Sequence, residues 1–196
     1  LPYMAEATQL LLEGATTKEI DSAAKRFGMP MGPINLYDVV GLDTALYAGK
    51  TMHDAYPDRV IESDLLKNLV EAGRLGQKSG RGFFSYENKK KRPEPDPQLD
   101  EFVKPLLGST TEFSRDEITD RLFLPMLLEA TRVLEEQLVR DVRDVDLGLI
   151  FGIGFPPFRG GLLFWADRLG AQAIVDKLQP FQSLGPRYEP TALLQK

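Results

Sequence analysis

The sequence predicts an all-α protein. Three observations carry that expectation. Apolar residues recur at helical spacing along most of the chain, cap signals bracket the apolar runs, and almost no segment alternates as a half-buried strand does. Of the 196 residues, 42% are hydrophobic and 27% are charged, a mixture that buries a core.

The elements follow in order. Pro2 to Glu13 carries Met4, Ala7, Leu10 and Leu11 on one face, with Gly14 as the terminating glycine. Thr16 followed by Glu19 is a capping-box signature for a second helix that ends at Gly28. Pro33 suits the first position of a third helix, and Gly41 stops it. Asp43 is the expected cap of a fourth, running through Ala48 and Met52 towards Pro57, and Ser63 caps a fifth from Leu65 to Ala72. Gly73 to Gly82 reads as a glycine-rich loop, and Phe83 to Tyr86 as a short strand at best. Residues 87–98 hold three prolines and the basic run Lys89 to Arg92 without an apolar core residue, so they read as a solvated linker or exposed crossing. Nuclear targeting is the less economical reading of that run. Ser114 with Glu117 opens a long helix expected through Leu122, Leu127, Leu128, Leu134 and Leu138. Further helices are expected at Val142 to Ile150, Arg159 to Leu169 and Ala171 to Leu178.

Composition excludes several function classes. With 24 basic and 29 acidic residues the net charge is -5, which offers no basic footprint for nucleic acid. There is no cysteine and only one histidine, His53, so thiolate chemistry, a multi-histidine metal site and a serine–histidine triad lack their residues. The longest uncharged run is the 12 residues from Leu147 to Phe158, against the about 20 that a membrane-spanning helix needs. The chain opens at Leu1, Pro2 and Tyr3 without a methionine or a signal pattern, and reads as part of a longer polypeptide.

The two halves resemble each other. Pro2, Glu6 and Ala7 match Pro125, Glu129 and Ala130; Asp21 falls opposite Asp146; and Gly32, Asp38 and Gly41 keep the spacing of Gly161, Asp167 and Gly170. Each copy has a glycine- and proline-rich elbow, Gly28 to Pro33 and Gly154 to Gly161. This order of anchors predicts a duplication. The Pro125 helix has about ten residues before it back to its cap, and the first copy predicts a corresponding stretch upstream of Leu1. Because Asp21 and Asp146 recur, as do Asp38 and Asp167, structural hydrogen bonds suit them better than catalysis.

Candidate motifs are weak. Gly152 and Gly154 lack the third glycine of a dinucleotide fingerprint, which falls on Pro157, and no strand precedes them. Gly73 to Ser79 has Gln77 where a phosphate loop needs glycine before Lys78. Lys78, Arg74 and Arg81 could still hold an anion, but a surface turn is the simpler reading. His53, Phe164 and Trp165 read as packing residues.

The residues quoted from the first copy, together with Gly73 to Phe84, resemble the C-terminal helical domain of 3-hydroxyacyl-CoA dehydrogenases. Gly154 to Gly161 and Leu184 to Tyr188 resemble the second copy found in the multifunctional α-subunits of fatty-acid β-oxidation complexes. The resemblance implies two tandem helical units of the 6-phosphogluconate dehydrogenase C-terminal-domain type around a pseudo-two-fold, at 1–86 and 99–196. It also implies that NAD, the catalytic histidine–glutamate pair and a substrate-contacting asparagine belong upstream of Leu1, the first two in a Rossmann domain. No catalytic, cofactor-binding or metal-ligating residue is carried over. In the second copy Asp120 and Arg121 stand where the asparagine would be. What is implied is a wall of the acyl-CoA cleft made by Gly28, Met29, Pro30, Met31, Gly32 and Pro33. Single-copy relatives dimerise through this domain, and a tandem copy would satisfy the same surface within one chain. The implied parent is an NAD-dependent L-3-hydroxyacyl-CoA dehydrogenase, cytoplasmic, with a thiolase subunit as partner and no activity in this chain alone. A freestanding helical binding or scaffold module is the alternative.

Overall fold

The computed structural model describes residues 2–88 and 92–195, so the Lys89 to Lys91 part of the basic run lies outside the described residues. The first half places α1 (Pro2–Leu12), α2 (Thr17–Phe27), α3 (Pro33–Val40), α4 (Leu42–Ala55) and α5 (Asp64–Glu71). Thr16 and Glu19 form the reciprocal capping box at the start of α2, Pro33 opens α3, and Ser63 caps α5 through the Leu66 amide. Asp43 does not cap α4. Gly41 holds that position, and the Asp43 carboxylate instead accepts the Lys78 ammonium from the glycine-rich loop.

The crossing between the halves is exposed but anchored. Strand β1 (Phe84–Ser85) pairs antiparallel with β2 (Glu94–Pro95), the only sheet among the described residues. Asp96 then meets Arg74 at 2.8 Å in a nearly buried ion pair. Past it come the short α6 (Asp100–Val103), α7 (Arg115–Glu135), α8 (Val142–Ile153), α9 (Leu162–Leu169) and α10 (Ala171–Leu178), and the chain ends in 3-10 turns. The Ser114–Glu117 capping box opens α7, but the helix stops at Glu135. Leu138 lies beyond it and is exposed, because Gln137 turns into the left-handed region and breaks the ladder. None of the helices among the described residues is long and apolar enough to cross a membrane.

The core is one cluster centred on α7, which lies along α1 and α2. Phe27 stacks on Phe123 at 3.8 Å between ring centroids, and Trp165 meets Phe27 edge-on at 5.2 Å. Phe164, expected in the core, is exposed instead and shields Gly160. One aspartate ties each of two helix pairs. Asp21 accepts the Ile34 and Asn35 amides at 2.9 and 3.2 Å, and Asp146 accepts the Leu163 and Phe164 amides at 2.7 and 3.1 Å. Each satisfies donors that the first turn of a helix leaves free. Asp38 accepts the Phe83 and Phe84 amides at the start of β1, outside any helix, whereas Asp167 is exposed.

Candidate functional site

The elbow from Gly28 to Pro33 begins as a helix terminus. Gly28 has φ 124°, its amide reaches back to Lys25, and the Met29 amide reaches back to Ala24. That pairing is a Schellman motif, in which the residue after the glycine folds back on the helix. Met29 is therefore buried, only 4% exposed, and is a core residue instead of an open wall. Gly32 is buried because Asp21 occupies the space a Cβ would need, 2.2 Å from the carboxyl carbon, and Pro33 is buried at the start of α3. Pro30 is exposed and Met31 half-buried, so these two carry the surface of the elbow.

The second elbow closes against the first. A Cβ on Gly28 would meet Pro156 at 2.8 Å and Phe158 closer still, and one on Gly154 would meet Pro30 at 2.7 Å. Arg159 donates to the Phe27 carbonyl at 2.7 Å while its guanidinium lies 3.9 Å from the Phe27 ring centroid.

A separate cleft of about 650 Å³ opens between α1, α4, α5, the 56–63 segment and α7. Ala5, Leu46, Met52, Val60, Ile61 and Val70 line its apolar walls, and Glu6 and Glu129 stand in it as well. Neither carboxylate is free. Glu129 holds Arg59 at 2.8 Å and Arg132 at 2.6 Å, while Glu6 accepts Arg121 at 2.9 Å, the Tyr188 hydroxyl at 2.7 Å and Arg187. His53 contacts the Val60 carbonyl at 2.6 Å through Nδ1 and fixes the lip of the cleft. None of the six elbow residues lines this cleft. Sequence reasoning missed it, although small Ala45 and Gly49 on α4, followed by Val60 and Ile61 after Pro57, mark a helix with open space beside it.

The cations of the glycine-rich loop are engaged within the chain. Lys78 is bonded to both Asp43 oxygens at 2.6 and 2.7 Å, and Arg74 holds Asp96 and the Gly82 carbonyl. Arg81 uses its Nη atoms on Gln98 and Glu87. Two glycines of the loop serve close packing: a Cβ on Gly76 would fall 2.3 Å from the Asp38 carbonyl, and one on Gly82 2.0 Å from the Asp38 carboxylate.

The Gly152–Gly154 segment does not fit the pyrophosphate of NAD. Gly152 lies inside α8, and Gly154 is its left-handed terminus packed on Pro30, so no strand–turn–helix cradle exists there. No group of three or more metal-ligating side chains occurs among the described residues. Asp21 is the most perturbed carboxyl in the elbow region: burial pushes it up to about 6 against two amide bonds that pull it down.

Residues 1–86 match the family model of the 3-hydroxyacyl-CoA dehydrogenase C-terminal domain. The fatty acid oxidation complex subunit alpha of Pseudomonas savastanoi pv. phaseolicola is 39% identical across 100% of this chain, which spans 28% of that subunit. Two solved structures share the fold. The dehydrogenase part of multifunctional enzyme 1 from C. elegans superposes with TM-score 0.74 at 22% identity, over 98% of this chain and 45% of that one. For 3-hydroxybutyryl-CoA dehydrogenase from Escherichia coli K12 the TM-score is 0.79 at 20% identity, over 99% of this chain and 57% of that one. Residues 1–86 therefore belong to the family of 3-hydroxyacyl-CoA dehydrogenase C-terminal domains, and the whole chain has the helical fold of those dehydrogenases.

Proposed function

We propose that this chain is the C-terminal helical part of an NAD-dependent L-3-hydroxyacyl-CoA dehydrogenase of fatty-acid β-oxidation. The observation that carries the reading is the family match over 1–86, together with an identity of 39% to a fatty acid oxidation complex subunit along the full chain. In the parent, NAD and the acid–base pair sit in a Rossmann domain upstream. The dehydrogenation removes a hydride from the 3-carbon and a proton from its hydroxyl, and this chain's part is to wall the acyl-CoA cleft and keep water from it. In this reading Pro30 and Met31, the elbow residues with exposed surface, touch substrate, and the flexible Met31 thioether accommodates acyl chains of differing shape. The 3-ketoacyl-CoA product is the substrate class of a thiolase, which the reading expects as a partner subunit. The soluble NAD pool makes the cytoplasm the expected location.

The same reading takes the chain as two tandem units, 1–86 and 99–196, joined by 87–98 around a rough two-fold. Reciprocal contacts support it. Gly28 abuts Pro156 as Gly154 abuts Pro30, Glu6 pairs with Arg187 as Glu129 pairs with Arg59, and Asp21 and Asp146 bracket their helices alike. Such an arrangement would meet, within one chain, the packing need that a dimer otherwise meets.

The test is steady-state kinetics of the parent enzyme with Met31→Glu. KM for a long-chain 3-hydroxyacyl-CoA should rise several-fold, with less change for a short-chain substrate and no loss of Tm. An unchanged KM for both substrates contradicts the wall.

A further inference from the structure

Asp21 on α2 and Asp146 on α8 fix a register between the two helices. In that register Ile20, Ala23, Ala24 and Phe27 correspond to Val145, Gly148, Leu149 and Gly152. On α2 this face is buried under α7, where Phe27 stacks on Phe123. On α8 the corresponding face is open. Gly148 and Gly152 are exposed, a Cβ at either would meet nothing within 4 Å, and Val145 and Leu149 are only half-buried.

The flank of the face differs in chemistry as well as cover. Beside its buried face α2 carries Lys25 and Arg26, both exposed, as a helix flank in water should. The equivalent positions of α8 are Ile150 and Phe151, and Phe151 is 84% exposed, with Leu147 beside it at 49%. Two interior glycines weaken a helix relative to alanine, so their use here needs a compensating contact. Glycines at a three- to four-residue spacing let another helix approach closely, and large apolar side chains beside them supply area to bury.

We propose that the Gly148–Gly152 face of α8 is a docking groove for a helix of the parent polypeptide that leads into α1. That helix sits on α8 as α7 sits on α2, where Phe123, two residues before Pro125, covers Phe27. The inference rests on the tandem reading above. A rotation that carries α7 onto α1 also carries α2 onto α8. Matching Pro125 with Pro2 places the covering stretch of α7 on the N-terminal side of Pro2. The occupant is apolar on the face it turns to α8, with a large side chain over Gly152, where α2 has the Phe27 ring.

Amide hydrogen exchange tests this in the 196-residue chain and in the parent polypeptide. The α8 amides should exchange at least tenfold more slowly in the parent, while those of α2 stay as they are. Gly152→Leu in the parent should restore fast exchange to α8 by filling the groove. In the 196-residue chain the same substitution should leave Tm unlowered, since nothing lies within 4 Å of the site. Equally fast α8 exchange in both proteins overturns the proposal. So does protection that survives Gly152→Leu, which would assign the cover to another surface, or protection in the short chain that is lost on dilution, which would assign it to a second copy. The Met31→Glu kinetics test the dehydrogenase reading separately, so unprotected α8 with a raised KM overturns the docking alone.

Discussion

Asp21 shows how one residue can organise a site without taking part in chemistry. Its carboxylate accepts two amides at the head of α3, so Asp21→Asn keeps one good acceptor and turns an NH2 towards the other amide. The expected loss is about 1–3 kcal/mol, read from chemical denaturation. Its titration has a definite sign. The folded carboxyl sits at about 6, above the unfolded value near 3.9, so the folded state binds the proton more tightly. Its contribution to stability is greatest below about pH 4, falls as pH rises to about 6, and is constant above, a change of order 3 kcal/mol. A carbon NMR titration of Asp21 should give a midpoint near 6; a midpoint in the ordinary carboxylate range contradicts this. The structural role of Asp21 and Asp146 was legible because both recur in the repeat. Asp167 recurs too but is exposed, since spacing alone does not supply the amides to be bonded.

At the scale of elements, local signals were the readable ones. Capping boxes at Thr16 and Ser114, Pro33 at a helix start and Gly28 at a helix end all act within four residues, and all form as the sequence indicates. Asp43 was misplaced because Gly41, two residues before it, takes the cap position and starts the helix at Leu42, freeing the Asp43 carboxylate for Lys78. Met29 was legible in principle: the residue following a terminating glycine returns to the helix. The two elbow methionines should therefore part company. Met29→Glu should cost about 3 kcal/mol or more and lower Tm, because it buries an unpaired charge, while Met31→Glu should leave the fold intact. Equal thermal shifts for both would contradict the different burial. Glycines separate in the same way. Gly32→Ala must displace Asp21 and should destabilise by about 1–3 kcal/mol. Gly49→Ala, inside α4 with nothing within 4 Å, should stabilise by about 0.5–1 kcal/mol.

Across the whole molecule, the halves are locked by charges distant in sequence. Arg121 is buried between Glu6 and Glu13, and Arg187 and Tyr188 close on Glu6 from the far end of the chain. Arg121→Met leaves Glu6 and Glu13 short of their partner and should cost about 3–5 kcal/mol, far more than loss of the exposed Arg143–Asp141 pair. The partners in this network could not be read from the sequence: the repeat marks Glu6 as an anchor, but Arg121, Arg187 and Tyr188 reach it from more than 100 residues away. The all-α class and the elbows needed only near neighbours, whereas the cleft depends on how α4, α5 and α7 meet.

In the proposed function this chain shapes an acyl-CoA cleft whose chemistry lies elsewhere in the parent. The direct measurement is NADH formation from NAD and an L-3-hydroxyacyl-CoA, with the purified 196-residue chain compared with the parent polypeptide at equal molarity. On the proposed function the parent turns over and the chain alone does not, because the nucleotide-cradling turn and the acid–base pair belong to the upstream Rossmann domain. Turnover that follows the 196-residue chain through purification would contradict the account.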